Sequence, residues 1–413
     1  AEVYAGLWNR PLDRGVFLSF LISNQKKECF GCEACVQICE ACALSMVEDE
    51  EGFRYPALDH KKCVACGLCR TVCPYPDSPL PSHEILEAFG GHHRDREIQK
   101  ESTSGGAFTA LVDAWCTDNY GIFGATQEGC SVFHTCVTDK SEIYRFRKSK
   151  YTQSVMGTSY AEVKKLLACG KKVVFSGTPC QVAGLQSYLK GEHCEGLLTI
   201  EVLCEGVPSP WYLKKFDTYL RERFGCGIRT LDYRNKDKPR WDFNVMRVEL
   251  ENGKSIYIDR WFNPFFTFWI GGLMSRPSCY GCPYTGSTGT ADITLGDLWG
   301  IHIHCPELYD KNRGVSLILC HTEKGMAALS MAQAALDGHV LDPAAVMSYQ
   351  KRLRMSVSAN PQREAFMGDL ISMDYKNIYR KWAKGPSIKL LWQKYVWGNR
   401  QKIGLWNLIH SRR

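Results

Sequence analysis

The sequence predicts an α/β body built on a mixed sheet, preceded by a small domain organised around cysteines. Two observations lead there. From about residue 101 onward, strand-like and helix-like stretches alternate and then give way to a hairpin. Ahead of them, cysteines recur at a tight, repeated spacing. At 413 residues and 45% hydrophobic, the chain can bury a full core and hold two or more domains. The expected segments are an N-terminal extension (1–28), a cysteine domain (29–80), a linker (81–100), the α/β body (101–370) and a basic, tryptophan-rich tail (371–413).

The N-terminal "GVFLSFLI" lacks the basic lead-in and small-residue cleavage site of a secretory signal, so it reads as a helix or strand packed on the body. No stretch of 18 uninterrupted apolar residues suggests a transmembrane helix. Twenty-one cysteines in so long a chain are not a disulfide framework, because such frameworks serve small domains with weak cores. Grouped at metal-ligand spacing, they point to thiolate ligands in a reducing cytoplasm.

Residues 29–42 read "CFGCEACVQICEAC" and residues 63–74 read "CVACGLCRTVCP". Each contains C-x2-C-x2-C-x3-C, and Cys29 to Cys63, Cys35 to Cys69 and Cys39 to Cys73 are each 34 residues apart. This is an internal duplication. Three closely spaced thiolates wrap one face of a cubane, and the fourth, one helical turn on, points at the other cluster. Cys29, Cys32, Cys35 and Cys73 should therefore hold one 4Fe–4S cluster, and Cys63, Cys66, Cys69 and Cys39 a second. Zinc sites rarely repeat this triple-then-single spacing. The domain is thus expected to be a bacterial-type two-cluster ferredoxin. Pro74 follows the second run, but Glu40 takes the matching place in the first, and Cys42 is left as a spare thiol. "DEEGFRYPALD" reads as a turn and short strand joining the halves.

The proline-rich "PYPDSPLPSH" and polar "HHRDREIQK" suggest a linker. In "STSGGAFTALVDAWC", Ser104 is a candidate N-cap for a helix with apolar Phe108, Leu111, Val112 and Trp115 on one face. "GIFGATQ" and "VFHTCVT" read as strands, and "AEVKKLLACG" as a helix closed by glycine. "KKVVFSGTPCQVAGLQSYL" is strand, tight loop, helix. "GLLTIEVLCEGVPSP" is a buried strand ending in a loop, followed by the helix of "WYLKKFDTYLRERFG". "FNVMRVELENGKSIYI" is a hairpin turning at Asn252–Gly253. "DITLGDLWG" and "GVSLILCHT" add two strands.

Cys279 and Cys282 form a C-x2-C in "RPSCYGCPYTG" and need two more ligands to complete a metal site. Cys180 in "GTPCQ" and Cys204 in "LCEG" each follow a buried strand. Ligands collect at the carboxyl ends of strands in open α/β sheets, so these two loops are expected to converge. The four thiols would suffice for a third 4Fe–4S cluster. Simple burial is the competing explanation for Cys180 and Cys204 taken singly.

"STSGGAFTAL", "SKYTQS", "GTPCQVAGL", "CEGVPSP", "RPSCYGCPY" and "DITLGDLWG" occur in that order, and with the cysteine domain they cover about residues 29–370. The series resembles the β subunit of coenzyme F420-reducing hydrogenase and its relatives, which include F420 dehydrogenase subunits and the plant hydroxymethyl-chlorophyll reductase. The resemblance implies an iron–sulfur flavoprotein with FAD in the α/β body. It also supports a cluster at Cys180, Cys204, Cys279 and Cys282.

For FAD, the helix start at "SGGAFT" offers backbone N–H groups, with Gly105 and Gly106 permitting close approach and Ser104 and Thr109 adding hydroxyls. Lys150 and Tyr151 of "SKYTQS" could meet flavin charge and ring, and Gly177, Thr178 and Gln181 would bring the ring beside the third cluster. Asp297 and the alternating His302 and His304 are weaker candidates, and no catalytic acid or base is assigned. The formal charge of +7 counts every cysteine as neutral. Three clusters at about −2 each would nearly cancel it, so no nucleic-acid partner is expected.

These readings converge on an oxidoreductase exchanging electrons between a redox partner protein, the clusters and FAD. A small-molecule substrate, with coenzyme F420 as one candidate, would react at the flavin. The alternatives are an electron-transfer subunit without its own substrate and a cluster-bearing redox sensor. An oligomer is compatible with either. The basic tail reads as a segment packed on the body or docking a partner, with an anionic membrane surface as the other option.

Overall fold

The computed structural model describes residues 17–18, 25–75, 82–192, 194–237, 244–309 and 313–410. Most of "GVFLSFLI" and of the proline-rich stretch after Cys73 lie outside them.

In the cysteine domain, β1 (Phe17–Leu18), β2 (Leu44–Glu48) and β3 (Arg54–Leu58) form a small antiparallel sheet with β3 in the middle. The cysteine runs flank it, each with a one-turn helix, Ala34–Gln37 and Leu68–Thr71. Each helix is entered through a left-handed residue, Glu33 and Gly67, which turns the chain sharply inside each cysteine run.

The body is an eight-stranded mixed sheet. Its strands are β4 (Glu87–His93), β5 (Tyr120–Glu128), β6 (Ser131–Val137), β7 (Lys172–Gly177), β8 (Leu197–Val202), β12 (Ile293–Asp297), β13 (Ser316–Cys320) and β14 (Leu336–Leu341), in the order β14-β4-β13-β12-β8-β7-β5-β6. The neighbours β5, β7, β8 and β12 run parallel; the remaining pairs are antiparallel. Residues 81–100, expected to be a linker, instead supply β4, hydrogen-bonded on both sides, and a short helix, Arg96–Lys100.

Side-chain alternation sends the central strands into two layers. Val174, Leu198 and Ile200 pack with Leu111 and Val112 of the helix Ala107–Trp115. Val173, Phe175 and Leu197 face the other way, against Val163, Val182 and Leu185 of the helices Ser159–Ala168 and Pro179–Leu189. Cys32, Ala34 and Val72 belong to that second layer. The cysteine domain is therefore seated on the same helices that follow β7.

A second core joins the helix Pro210–Phe224, capped by Ser209 and closed by left-handed Gly225, to β9 (Ile228–Asp232), β10 (Met246–Leu250) and β11 (Ser255–Ile258). The β10–β11 hairpin turns at Gly253, φ 82°, as its Asn–Gly pair predicts. The aromatic helix Pro264–Ile270 and the helices Arg363–Ser372 and Tyr375–Trp382 complete this core. "GIHIHC" does not keep the alternating arrangement expected of its histidines. Ile301–His304 is a short helix entered through left-handed Gly300, which gives His302 and His304 a helical rather than an alternating arrangement.

Candidate metal and cofactor centre

β7 and β8 are parallel neighbours, so their carboxyl ends emerge at one edge of the sheet. From that edge the chain places Cys180 in the first turn of Pro179–Leu189 and Cys204 two residues past β8. Cys279 and Cys282 arrive on the turn Pro277–Gly281 and the residue after it. This turn is tied to the loop after Cys204 by backbone bonds from Ser209 N to Met274 O (2.7 Å) and from Arg276 N to Val207 O (2.8 Å). All four thiols line a single cavity with Phe30, Arg276 and Tyr284.

The first cysteine domain set behaves likewise. Cys29, Cys32, Cys35 and Cys73 lie near enough to perturb one another's charge, and Cys69 is close to Cys39 and Cys66. Burial holds the Cys180 thiol up at about 12 and those of Cys279 and Cys73 at about 11, and it also raises Cys204, Cys32 and Cys35 well above the usual thiol value. Desolvated thiolates crowded in this way are unfavourable without a cation among them.

Among the described residues, no three His, Cys, Asp or Glu side chains converge closely enough for one metal ion. A four-iron cubane is wider than a single ion, so four thiols around a shared hollow suit it better than a point-like site. The sulfurs are also served by donors. The Val207 N–H points at Cys279 Sγ (3.4 Å) and the Ala43 N–H at Cys39 Sγ (3.4 Å), the hydrogen bonding that tunes thiolate-bound clusters.

The sets are arranged in sequence. Cys63 and Cys66 are exposed at the protein surface, whereas Cys32 is buried and close enough to Cys180 to raise its charge cost. Between the inner set and the body cavity stand aromatic rings. Phe30 is 5.3 Å from Tyr284 and 6.0 Å from Tyr75 between ring centroids.

Arg276, which the sequence reading did not single out, is 1% exposed and lies at this junction. Its Nε donates to the Cys29 carbonyl (2.9 Å), and its Nη groups to Arg54 O (3.0 Å) and Gln153 Oε1 (3.0 Å). Glu201 was also missed. It lines the body cavity, is held neutral up to about 7 by burial, and accepts from the hydroxyl of Thr294 (2.8 Å).

The nine residues singled out for FAD fall into two groups. At the first helix, Ser104 does not cap. Its hydroxyl donates to Val315 O (2.6 Å), and the N-cap position belongs to left-handed Gly106. A Cβ on Gly105 would lie 2.4 Å from Gly91 O and 2.6 Å from Ser316 N, so this glycine is required by its contact with the sheet. Thr109 accepts from Arg147 Nε (3.2 Å). Lys150 donates to the carbonyls of Arg145 (3.0 Å) and Arg147 (2.7 Å), and burial lowers its ammonium to about 7. Tyr151 packs 4.6 Å from Trp269 and 5.1 Å from Tyr233 between ring centroids.

The second group opens the helix after β7. Thr178 and Gln181 form a capping box, and Gln181 Nε2 donates to Ser154 Oγ (2.8 Å); Gly177 packs against the Gln181 side chain.

The loop of residues 149–154 connects the groups. Ser149 N donates to Thr103 Oγ1 (2.6 Å) at one end, while Gln153 meets Arg276 and Ser154 meets Gln181 at the other. Around its first residues stand cations the sequence reading overlooked. Lys148 pairs with Asp232 (2.8 Å), and Arg234 with Asp297 (2.7 Å). Lys236 donates to Gln99 O (2.9 Å) and Ser104 O, and burial lowers it to about 7. Lys148 also pairs with Glu101 (3.4 Å), whereas Lys150 and Lys236 donate to backbone carbonyls, so an anion such as a pyrophosphate beside those two lysines would favour their charged forms. His302 and His304 are not among the cavity's lining residues; the His304 ring rests edge-on against Tyr349.

Comparison with known proteins finds two family matches along the chain. Residues 170–343 match the family described as the C terminus of the coenzyme F420 hydrogenase/dehydrogenase beta subunit, and residues 28–76 match a 4Fe-4S dicluster domain. Among solved structures, a chain of the xenon-derivatised F420-reducing [NiFe] hydrogenase complex from Methanosarcina barkeri is similar at 15% identity and a TM-score of 0.43, over 74% of this chain and 96% of that one. No curated protein matches.

Proposed function

From a chain that joins a 4Fe-4S dicluster domain to the C-terminal domain of an F420 hydrogenase/dehydrogenase beta subunit, making it an electron-transfer iron–sulfur protein, we propose an FAD-dependent oxidoreductase. It exchanges electrons with an external redox protein and with a small-molecule substrate, for which coenzyme F420 is the first candidate. The observation that carries this reading is the ordered run of thiol sets. One is exposed (Cys63, Cys66, with Cys39 and Cys69), one inner (Cys29, Cys32, Cys35, Cys73), and one at the sheet edge (Cys180, Cys204, Cys279, Cys282).

Clusters supply one-electron steps when bound, and a flavin couples them to two-electron hydride chemistry. The chain's own residues set the conditions. The exposed set meets the donor, Phe30 and Tyr284 exclude water between the inner set and the sheet-edge set, and Arg276 offsets negative charge there. Lys150 and Lys236 offer a pyrophosphate its counter-charge. Residues 149–154 and Gln181 link that group to the sheet-edge thiols.

Anaerobic purification with iron, sulfide and flavin quantified tests the assignment. About twelve iron atoms and one FAD per chain are expected. Iron near eight would remove the third cluster, absence of flavin would remove the hydride step, and zinc in place of iron would overturn electron transfer altogether.

A further inference from the structure

We propose that the C-terminal segment docks this protein onto an anionic lipid surface. After Asp374 the chain has ten Lys and Arg and no Asp or Glu, and four of its residues are tryptophan. The segment is anchored at its start. In the helix Tyr375–Trp382, Ile378 is 1% exposed in the second core and Trp382 Nε1 donates to Asp369 Oδ2 (2.7 Å).

Beyond Ser387 the segment rests on the body through Tyr395, whose hydroxyl donates to Asp259 Oδ2 (2.7 Å), and Lys394, which lies 4.9 Å from the Trp261 ring centroid, and it leaves other side chains exposed. The continuous helical run of Ile388–Leu391 and Trp392–Val396 presents Ile388 (87% exposed), Trp392 (53%) and Val396 (55%) at intervals of four, which is one stripe. Trp397 stacks on Trp392 with both rings exposed. Leu405 and Ile409 repeat the interval on the helix Asn399–His410. The stripe continues onto the body at Phe262, which is half-exposed beside Tyr395.

Charge decides the occupant. A protein partner's interface is depleted of lysine, yet six of the ten cations here are Lys. A bilayer with anionic headgroups complements a segment of one sign. Its headgroup region takes indole rings, and its acyl boundary takes aliphatic side chains. No helix among the described residues is long and apolar enough to cross a membrane, so the contact lies in the surface plane.

The test uses the full chain, prepared anaerobically, sedimented with phosphatidylcholine vesicles alone or containing about 30 mol% phosphatidylglycerol. At about 0.1 M salt the protein should pellet with the anionic vesicles only, and about 0.5 M salt should release it. The pairs Trp392→Ala with Trp397→Ala, and Lys384→Glu with Lys389→Glu, alter only partly or fully exposed side chains. Each should lower the bound fraction roughly tenfold, with iron content and far-UV circular dichroism unchanged. Equal binding to both vesicle types, or to neither, overturns the proposal. So does a vesicle-independent dimer that the tryptophan pair dissolves, which would assign the stripe to a second copy of the chain.

Discussion

Arg276 reaches Cys29 across 247 residues of sequence. Its Nε donates to the Cys29 carbonyl at 2.9 Å, and its Nη2 lies 3.8 Å from the Cys29 sulfur. The guanidinium also sits 4.1 Å from the centroid of the Tyr55 ring, and no carboxylate among the described residues forms a salt bridge with it. A buried cation with carbonyls, a ring and a sulfur for partners stabilises added negative charge nearby.

Replacing Arg276 with Gln should therefore make the cluster at Cys29 harder to reduce. A unit charge this close, at an effective dielectric near 20, is worth on the order of a few kcal/mol, or on the order of 100 mV for one electron. Lys at this position should retain most of that effect while losing the bonds to Arg54 O and Gln153. An EPR-monitored redox titration of the three proteins reads both. An unchanged midpoint in Arg276→Gln would show that the guanidinium is only a structural strut.

Cys279 receives the Val207 N–H and shares its cavity with three other thiols. Cys279→Ser should remove about a third of the iron and leave the signals of the dicluster domain in place. Iron content unchanged from the parent protein would sink the third cluster. Loss of all iron would instead point to collapse of the junction that Arg276 holds.

The residues whose roles are set by near neighbours in sequence were legible. The spacing of the cysteine runs proposes a partition, and Cys29, Cys32, Cys35 and Cys73 lie near one another. Cys180 and Cys204 could be brought together because each follows a strand, and adjacent parallel strands end on one edge. What stayed hidden depends on distant chain. "EAFGGHH" carries two glycines and two histidines between polar stretches, yet it is a strand because β13 and β14 flank it; a Cβ on Gly91 would stand 2.9 Å from Asp337 O. Ser104 resembles a cap, but its hydroxyl answers a carbonyl 211 residues away. Arg276, Arg234 and Lys236 look like solvent-facing charges until the fold buries them.

Gly184 marks how closely the dicluster domain is seated. A Cβ there would lie 3.0 Å from Cys32 Cβ, 3.1 Å from its Sγ and 2.9 Å from the Tyr160 hydroxyl. Gly184→Ala must therefore displace the helix Pro179–Leu189 or the ligand loop. The expected cost is about 1–3 kcal/mol, with a lower thermal midpoint and partial loss of inner-cluster iron. A midpoint equal to that of the parent protein would mean that the interface yields freely.

His134 on β6 gives the fold an acid-sensitive point away from the cysteines. Its ring is stacked on Phe175 (5.5 Å between centroids), its Nε2–H donates to the Ser176 carbonyl (2.9 Å), and its buried Nδ1 has no hydrogen-bond partner among the described residues. Burial, with a smaller contribution from Lys150, lowers its proton affinity from 6.5 to about 4. The unfolded chain therefore binds the extra proton first as pH falls. Stability from the neutral ring is complete above 6.5 and is lost progressively toward about 4. The change across that window is about 3 kcal/mol. His134→Gln should flatten this part of the curve of denaturation midpoint against pH, whatever its effect at neutral pH. A slope between pH 6.5 and 4 identical to that of the parent protein would assign the acid sensitivity to other groups.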